Sequence, residues 1–175
     1  VPYIIDGLKK LEYRGYDSAG ISILQDGKLV TVRAVGKVAE LEKAALLANP
    51  KGNTGIGHTR WATHGKPSEE NSHPHTDCTG DIEVVHNGII ENYLTLRDKL
   101  ESRGHRFKSE TDTEVIAHLI EENLLHVRAA NDPDRLLKAV QKTNKEIAGA
   151  YAYGVLSART PGLLIGVKNQ IPMVA

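Results

Sequence analysis

Two short runs of strand-forming residues, 20–24 and 29–35, are separated by Gln25-Asp26-Gly27-Lys28. Asp-Gly between such runs accepts the positive backbone angles of a two-residue turn, so the chain is expected to reverse here into a β-hairpin. The sheet that contains the hairpin must then be at least partly antiparallel.

Helical patterns surround this pair. Ile4, Ile5, Leu8 and Leu11 recur at helical spacing and deliver the polar, turn-like cluster Tyr13-Arg14-Gly15-Tyr16-Asp17-Ser18. Val38, Leu41, Ala45 and Ala48 predict a short helix ended by Asn49-Pro50. Residues 52–80 are rich in Gly, Pro, His and polar side chains with little periodicity, and a loop this long in a compact domain is usually functional. Residues 82–86 read as a buried strand, with Asn87-Gly88 as a turn directly after it. Ile89, Ile90, Tyr93, Leu94, Leu96 and Leu100 form an apolar helical stripe closed by Arg103-Gly104. Thr111-Asp112-Thr113-Glu114 has the capping-box pattern ahead of Val115, Ile116, Leu119 and Ile120. Asp132-Pro133 opens another helix, with Leu136, Leu137, Val140 and Ile147 near one face. Strands at 150–156 and 163–167 flank Thr160-Pro161-Gly162. This order predicts mixed helix and sheet, with antiparallel pairing predominant.

At 175 residues the chain fits one domain, and 22 basic against 22 acidic side chains leave no net charge to attract nucleic acid or an anionic membrane. A 40% hydrophobic content supports a packed core, and no apolar run is long enough to span a bilayer. The single cysteine, Cys78, rules out an internal disulfide framework and fits a reducing cytoplasm. Asp77 and Asp81 flank it, which disfavours a thiolate, so Cys78 is expected to be an ordinary loop residue. His58, His64, His73, His75 and His86 fall in one stretch, but no established metal-ligand spacing is present and no metal site is expected.

Three polar clusters lie at element boundaries. Arg60-Trp61-Ala62-Thr63-His64-Gly65 pairs a guanidinium suited to a carboxylate or phosphate with a tryptophan able to close over a small ligand; on residue types alone it is equally a surface loop anchored by Trp61. His86-Asn87-Gly88 offers a side-chain amide beside a glycine N–H, two donors suited to a developing oxyanion, though Asn-Gly is also the commonest of turn dipeptides. Asp112 alone reads as a helix cap.

Taken together, Leu11-Glu12-Tyr13-Arg14-Gly15-Tyr16-Asp17-Ser18-Ala19-Gly20, Gly57-His58-Thr59-Arg60-Trp61-Ala62-Thr63-His64-Gly65, His86-Asn87-Gly88-Ile89-Ile90-Glu91-Asn92 and Ser109-Glu110-Thr111-Asp112-Thr113-Glu114 are specific. In this order they closely resemble the class II glutamine amidotransferase (glutaminase) domain of the glucosamine-6-phosphate synthase family, also called glutamine:fructose-6-phosphate amidotransferases. The resemblance implies an α+β, N-terminal-nucleophile hydrolase fold, a four-layer αββα sandwich with antiparallel sheets, and no cofactor. It implies an enzyme of the transaminating type that takes ammonia from L-glutamine and passes it to fructose 6-phosphate on a C-terminal sugar-phosphate isomerase domain, in a cytoplasmic homodimer.

Residue by residue, the resemblance implies that Arg60, with Thr63 and His64, holds the glutamine α-carboxylate and that Asp112 takes the α-ammonium. It implies that Asn87 and Gly88 form the oxyanion hole, that Trp61 belongs to a closing loop, and that Arg14 positions the nucleophile's end of the chain. That nucleophile is an N-terminal cysteine in the family. Val1 aligns just inside the strand that carries it, so residues 1–175 are expected to be one glutaminase domain truncated at both ends. The alternative is a glutamine-binding module without the nucleophile. Lys168-Asn169-Gln170-Ile171-Pro172 departs from the family pattern, and no role carries over there.

Overall fold

The computed structural model describes residues 1–61 and 66–173. Helix α1 (Pro2–Leu11) and a single 3-10 turn (Glu12–Arg14) lead into the expected hairpin, β1 (Ser18–Gln25) and β2 (Lys28–Val35). Asp26 and Gly27 at its tip have φ of 49° and 74°, the paired positive angles that such a turn demands. Helix α2 (Val38–Ala48) ends on Asn49 in the left-handed conformation, and β3 (Thr54–Arg60) returns to pair with β1. The first sheet therefore has the order β2-β1-β3, antiparallel throughout.

A second antiparallel sheet has the order β4-β5-β6-β7, from β4 (His75–Thr76), β5 (Ile82–Gly88), β6 (Tyr151–Ser157) and β7 (Leu164–Asn169). Helices α3 (Tyr93–Glu101), α4 (Glu114–His126) and α5 (Asp132–Glu146) intervene between β5 and β6. Two apolar cores result. Ile5 and Leu8 of α1 and Leu41 of α2 pack on Ile21 and Ile23 of the first sheet, while Ile82, Val84, Tyr153 and Val155 of the second sheet meet Ile116, Leu119, Ile120 and Val140 of the helices.

Period-two alternation decides what lies between the sheets. On β3, Gly55 and Gly57 face α1, where an added Cβ would come within 2.6 Å of Ile23 and Ile4 respectively. The residues between and after them, Ile56, His58 and Arg60, point to the opposite face. On β5, Ile82 and Val84 join the helix-side core, so Glu83, Val85 and Asn87 face the first sheet, and Thr31 of β2 donates to Glu83 at 2.6 Å across the gap. Arg33 reaches across as well, donating from Nε to the Pro74 carbonyl at 2.8 Å. The architecture is helix, sheet, sheet, helix, with a polar seam between the sheets.

Three sequence expectations are corrected. Asn87-Gly88 is not a turn: both residues belong to β5, paired with Ala152 and Tyr151. The capping box does not form. Helix α4 starts after Thr113, without a side-chain cap, and Glu114 instead accepts from the N–H groups of Lys108 and Ser109 at 2.9 and 2.7 Å. Leu94 and Leu137 are exposed, because α3 and α5 each bury a narrower stripe than their apolar content suggests.

Candidate active site

The ends of β3 and β5 stand opposite one another across the seam, and the sequence-predicted Arg60, Asn87, Gly88 and Asp112 lie at or beside them. His58 Nε2 lies 3.1 Å from Asn87 Oδ1. A carboxamide oxygen only accepts, so the imidazole donates and the Asn87 Nδ2 donors are turned away from it. Burial lowers the His58 pKa from its ordinary value to about 4, partly opposed by that hydrogen bond, so the ring is neutral at physiological pH.

Arg60, two residues along the same strand face, is buried. Desolvation lowers its pKa, while the carboxylates of Asp17 and Asp112 pull it back up. Its backbone carbonyl accepts from the Asp17 N–H at 3.1 Å, and Gly15 lies so close that a Cβ there would fall 2.8 Å from the Arg60 carbonyl carbon. The Tyr13–Ser18 cluster is thereby held against the end of β3. Tyr16 meets Trp61 edge to face, with ring centroids 5.5 Å apart. Arg14 closes the 3-10 turn and is exposed. Thr63 and His64 lie outside the described residues.

Asp112 is buried, and its Oδ2 accepts from the Ile90 N–H at 2.8 Å, just beyond the end of β5. This contact, rather than a cap, ties Asp112 to the Asn87-Gly88 strand end. Gly88 has φ of 123°, and a Cβ there would lie 2.1 Å from the Ala150 carbonyl. Only glycine fits that conformation so close to another backbone.

The histidines expected to be unremarkable form a continuous path. His73 stacks on His58 at 4.2 Å between centroids and meets His75 edge-on at 4.8 Å. His75 Nε2 lies 3.0 Å from Thr111 Oγ1, and His86 Nδ1 lies 2.8 Å from Thr113 Oγ1. Burial pushes all four pKa values down, His75 to about 3. His58 is the residue that sequence reasoning missed. It was present in the Gly57–Gly65 motif without a role, and the available signal was its i, i+2 relation to Arg60 on a strand.

A family model described as a glutamine amidotransferase domain matches residues 58–171. The chain belongs to this family. Glutamine amidotransferase domains of similar sequence occur in proteins named glutamine–fructose-6-phosphate aminotransferase [isomerizing]. The one from Aquifex aeolicus is 53% identical over 99% of this chain, and that from Pyrococcus horikoshii is 51% identical over 98%. The chain spans about 28% of the length of each. Among solved structures, a glutamine phosphoribosylpyrophosphate amidotransferase from B. subtilis superposes with a TM-score of 0.70 at 32% identity, covering 90% of this chain and 33% of that one. A second, described as the allosteric regulatory enzyme of purine biosynthesis, gives 0.72 at 30% identity over 89% of this chain and 32% of that one. The amidotransferase domain thus has the αββα fold of the N-terminal-nucleophile hydrolases that its motifs implied. Among the described residues no helix is long and apolar enough to cross a membrane.

Proposed function

We propose that this domain binds L-glutamine between Arg60 and Asp112 and presents the side-chain carboxamide to Asn87 and Gly88 for hydrolysis to glutamate and ammonia. The observation that carries the reading is one buried guanidinium at the end of β3 and one buried carboxylate tied to the end of β5, within electrostatic reach of each other. An amino acid carries one charge of each sign on its α-carbon, and its recognition needs a fixed group of each sign. Thr63 and His64 assist Arg60 at the α-carboxylate, Trp61 closes over the substrate, and Arg14 steadies the nucleophile.

In the mechanism that follows, a thiolate attacks the carboxamide carbon, the carbonyl oxygen becomes an oxyanion, and the Asn87 amide and Gly88 N–H donate to it. His58 holds the Asn87 carboxamide so that Nδ2 is the end available for this task. The cysteine's own α-amine, having taken the thiol proton, returns it to the leaving nitrogen so that collapse expels ammonia, and water then hydrolyses the thioester to glutamate and the free thiol. Cys78 is not the attacking group, since it sits beyond the opposite end of β5 from Asn87, against His105 and His118. The thiolate belongs to the family's N-terminal cysteine in the full-length protein, where ammonia passes to fructose 6-phosphate on the C-terminal isomerase domain.

The test is calorimetric titration of full-length protein with L-glutamine, comparing wild type with Arg60→Lys and Asp112→Asn. Asp112→Asn keeps an oxygen acceptor for the Ile90 N–H while removing the charge, and Arg60→Lys keeps the charge while removing the two-point fork. Both should weaken binding at least tenfold. Unchanged affinity in both variants would overturn the assignment.

A further inference from the structure

Away from the proposed glutamine site, four donor atoms from three separate segments converge on one point. Cys78 Sγ comes from the loop ahead of β5, His105 Nδ1 from the segment after α3, and His118 Nδ1 with Glu121 Oε2 from successive turns of α4. The sulfur is 3.7 Å from His105 Nδ1 and 3.5 Å from His118 Nδ1. The two Nδ1 atoms are 3.3 Å apart, and Glu121 Oε2 lies 3.0 and 3.3 Å from them. A tetrahedral zinc ion, with bonds of about 2.0–2.1 Å to nitrogen and about 2.3 Å to sulfur, sets its ligands about 3.3–3.6 Å apart. The observed separations, 3.0–3.7 Å, bracket those edges.

The groups behind the ligands point the same way. His105 Nε2 faces Glu122 Oε2 at 3.2 Å, and His118 Nε2 faces Glu114 Oε1 at 3.5 Å. Each ring thus turns Nε2 to a carboxylate behind it and Nδ1 into the cluster, beside Cys78 Sγ and Glu121 Oε2. Carboxylates behind histidines in this way are the usual support for metal-bound imidazoles. The Arg106 N–H donates to Cys78 Sγ at 3.5 Å, and the Cys78 N–H donates to Glu121 Oε2 at 3.1 Å, so the sulfur and carboxylate are already oriented.

We propose that Cys78, His105, His118 and Glu121 bind one Zn²⁺ in a closed tetrahedral site that fastens the 77–81 loop and the 102–108 segment to α4. A thiolate, a carboxylate and two imidazoles neutralise the ion's charge and fill its coordination, so the site is structural rather than catalytic. A surface cavity of about 340 Å³, lined in part by Cys78, His105 and Glu121, gives the ion a route in. This departs from the sequence expectation of no metal and of an ordinary loop role for Cys78. The assignment does not depend on the glutamine reading.

The experiment uses full-length protein without a histidine tag. Metal content is measured by plasma mass spectrometry for wild type, Cys78→Ser and His105→Gln, and metal-stripped protein is titrated with Co²⁺. The expected result is one zinc per chain more in wild type than in either variant. Cobalt should give visible d–d bands of tetrahedral intensity and a near-ultraviolet sulfur-to-metal band that Cys78→Ser removes. Should a variant fail to fold, stripped wild type serves alone: its melting temperature should rise on adding Zn²⁺ and not Mg²⁺. Equal metal content in all three proteins, or stripped wild type that takes up cobalt without the sulfur band and gains no stability from zinc, would overturn the site.

Discussion

Asn87 and His58 show how a strand's alternation creates a pair of roles. Both project into the seam between the sheets, and the imidazole donates to the carboxamide oxygen at 3.1 Å. Loss of one oxyanion donor costs about 10²–10³ in kcat because the interaction is made mainly in the transition state. Asn87→Ala in active full-length enzyme should therefore lower kcat for glutamine hydrolysis by that factor with KM nearly unchanged, as read by steady-state ammonia release. An equal rise in KM would make Asn87 a binding residue. His58 acts through Asn87, so it is a positioning residue. His58→Ala should lower kcat by about tenfold, a fraction of the Asn87→Ala loss, and His58→Gln, whose amide can still donate, should recover most of it. Identical rates for the two His58 variants would remove the positioning role. Asn87 was legible in the sequence as a donor beside a glycine; His58 was not, because its partner lies 29 positions away.

At the scale of elements, local signals held wherever the local backbone decided the outcome. The β1–β2 turn was readable because Asp26 and Gly27 need no tertiary help to adopt positive φ. The Asn87-Gly88 turn and the capping box failed because more distant partners won. Pairing with β6 extends β5 through Gly88, and Glu114 is drawn to the Lys108 and Ser109 amides while Thr113 Oγ1 meets His86. The exit of β5 and the entry to β6 consequently press together at two glycines. Gly149 has φ of 125°, and a Cβ there would lie 2.2 Å from the Ile89 carbonyl, mirroring Gly88 against Ala150. Gly149→Ala introduces both strain and a backbone collision, a cost of about 2–4 kcal/mol. Its melting temperature should fall by roughly 5–15 °C, since about 1 kcal/mol shifts a domain of this size by 2–4 °C or slightly more. Gly27→Ala, where φ is 74° but nothing stands within 4 Å, should cost much less. Equal losses from the two would show that conformation, not the close approach, sets the requirement at Gly149.

Over the whole molecule, the helical stripes that feed the two apolar cores were legible in the periodicity, whereas the polar layer between and behind the sheets was not. Its histidines come from β3, β4, β5 and the loop between them, and only the αββα stacking makes them neighbours. His73 Nδ1 accepts from the His86 N–H at 3.4 Å, which requires a lone pair there and hence a ring without a proton on that nitrogen. His75, 2% exposed, is held neutral chiefly by burial, with Arg33, Arg60 and His58 lowering its pKa further against the opposing Glu114 charge; the result is about 3. In the unfolded chain each histidine titrates near 6.5. Above that pH both states are neutral and the native contacts are intact. As pH falls below 6.5 the unfolded chain takes up protons that the native chain refuses, so stability declines through the window from 6.5 toward 3. At pH 5, above the ordinary range of the carboxylates, His58 and His75, with pKa values lowered to about 4 and about 3, should each have cost about 2 kcal/mol relative to pH 7.5. Urea denaturation midpoints at these two pH values check the sum, and His75→Gln, which retains an amide partner for Thr111, should flatten the dependence by one proton. A stability that does not change between pH 7.5 and 5 would mean that these rings protonate freely in the native state, and the neutral state assigned to them from their burial would have to be abandoned.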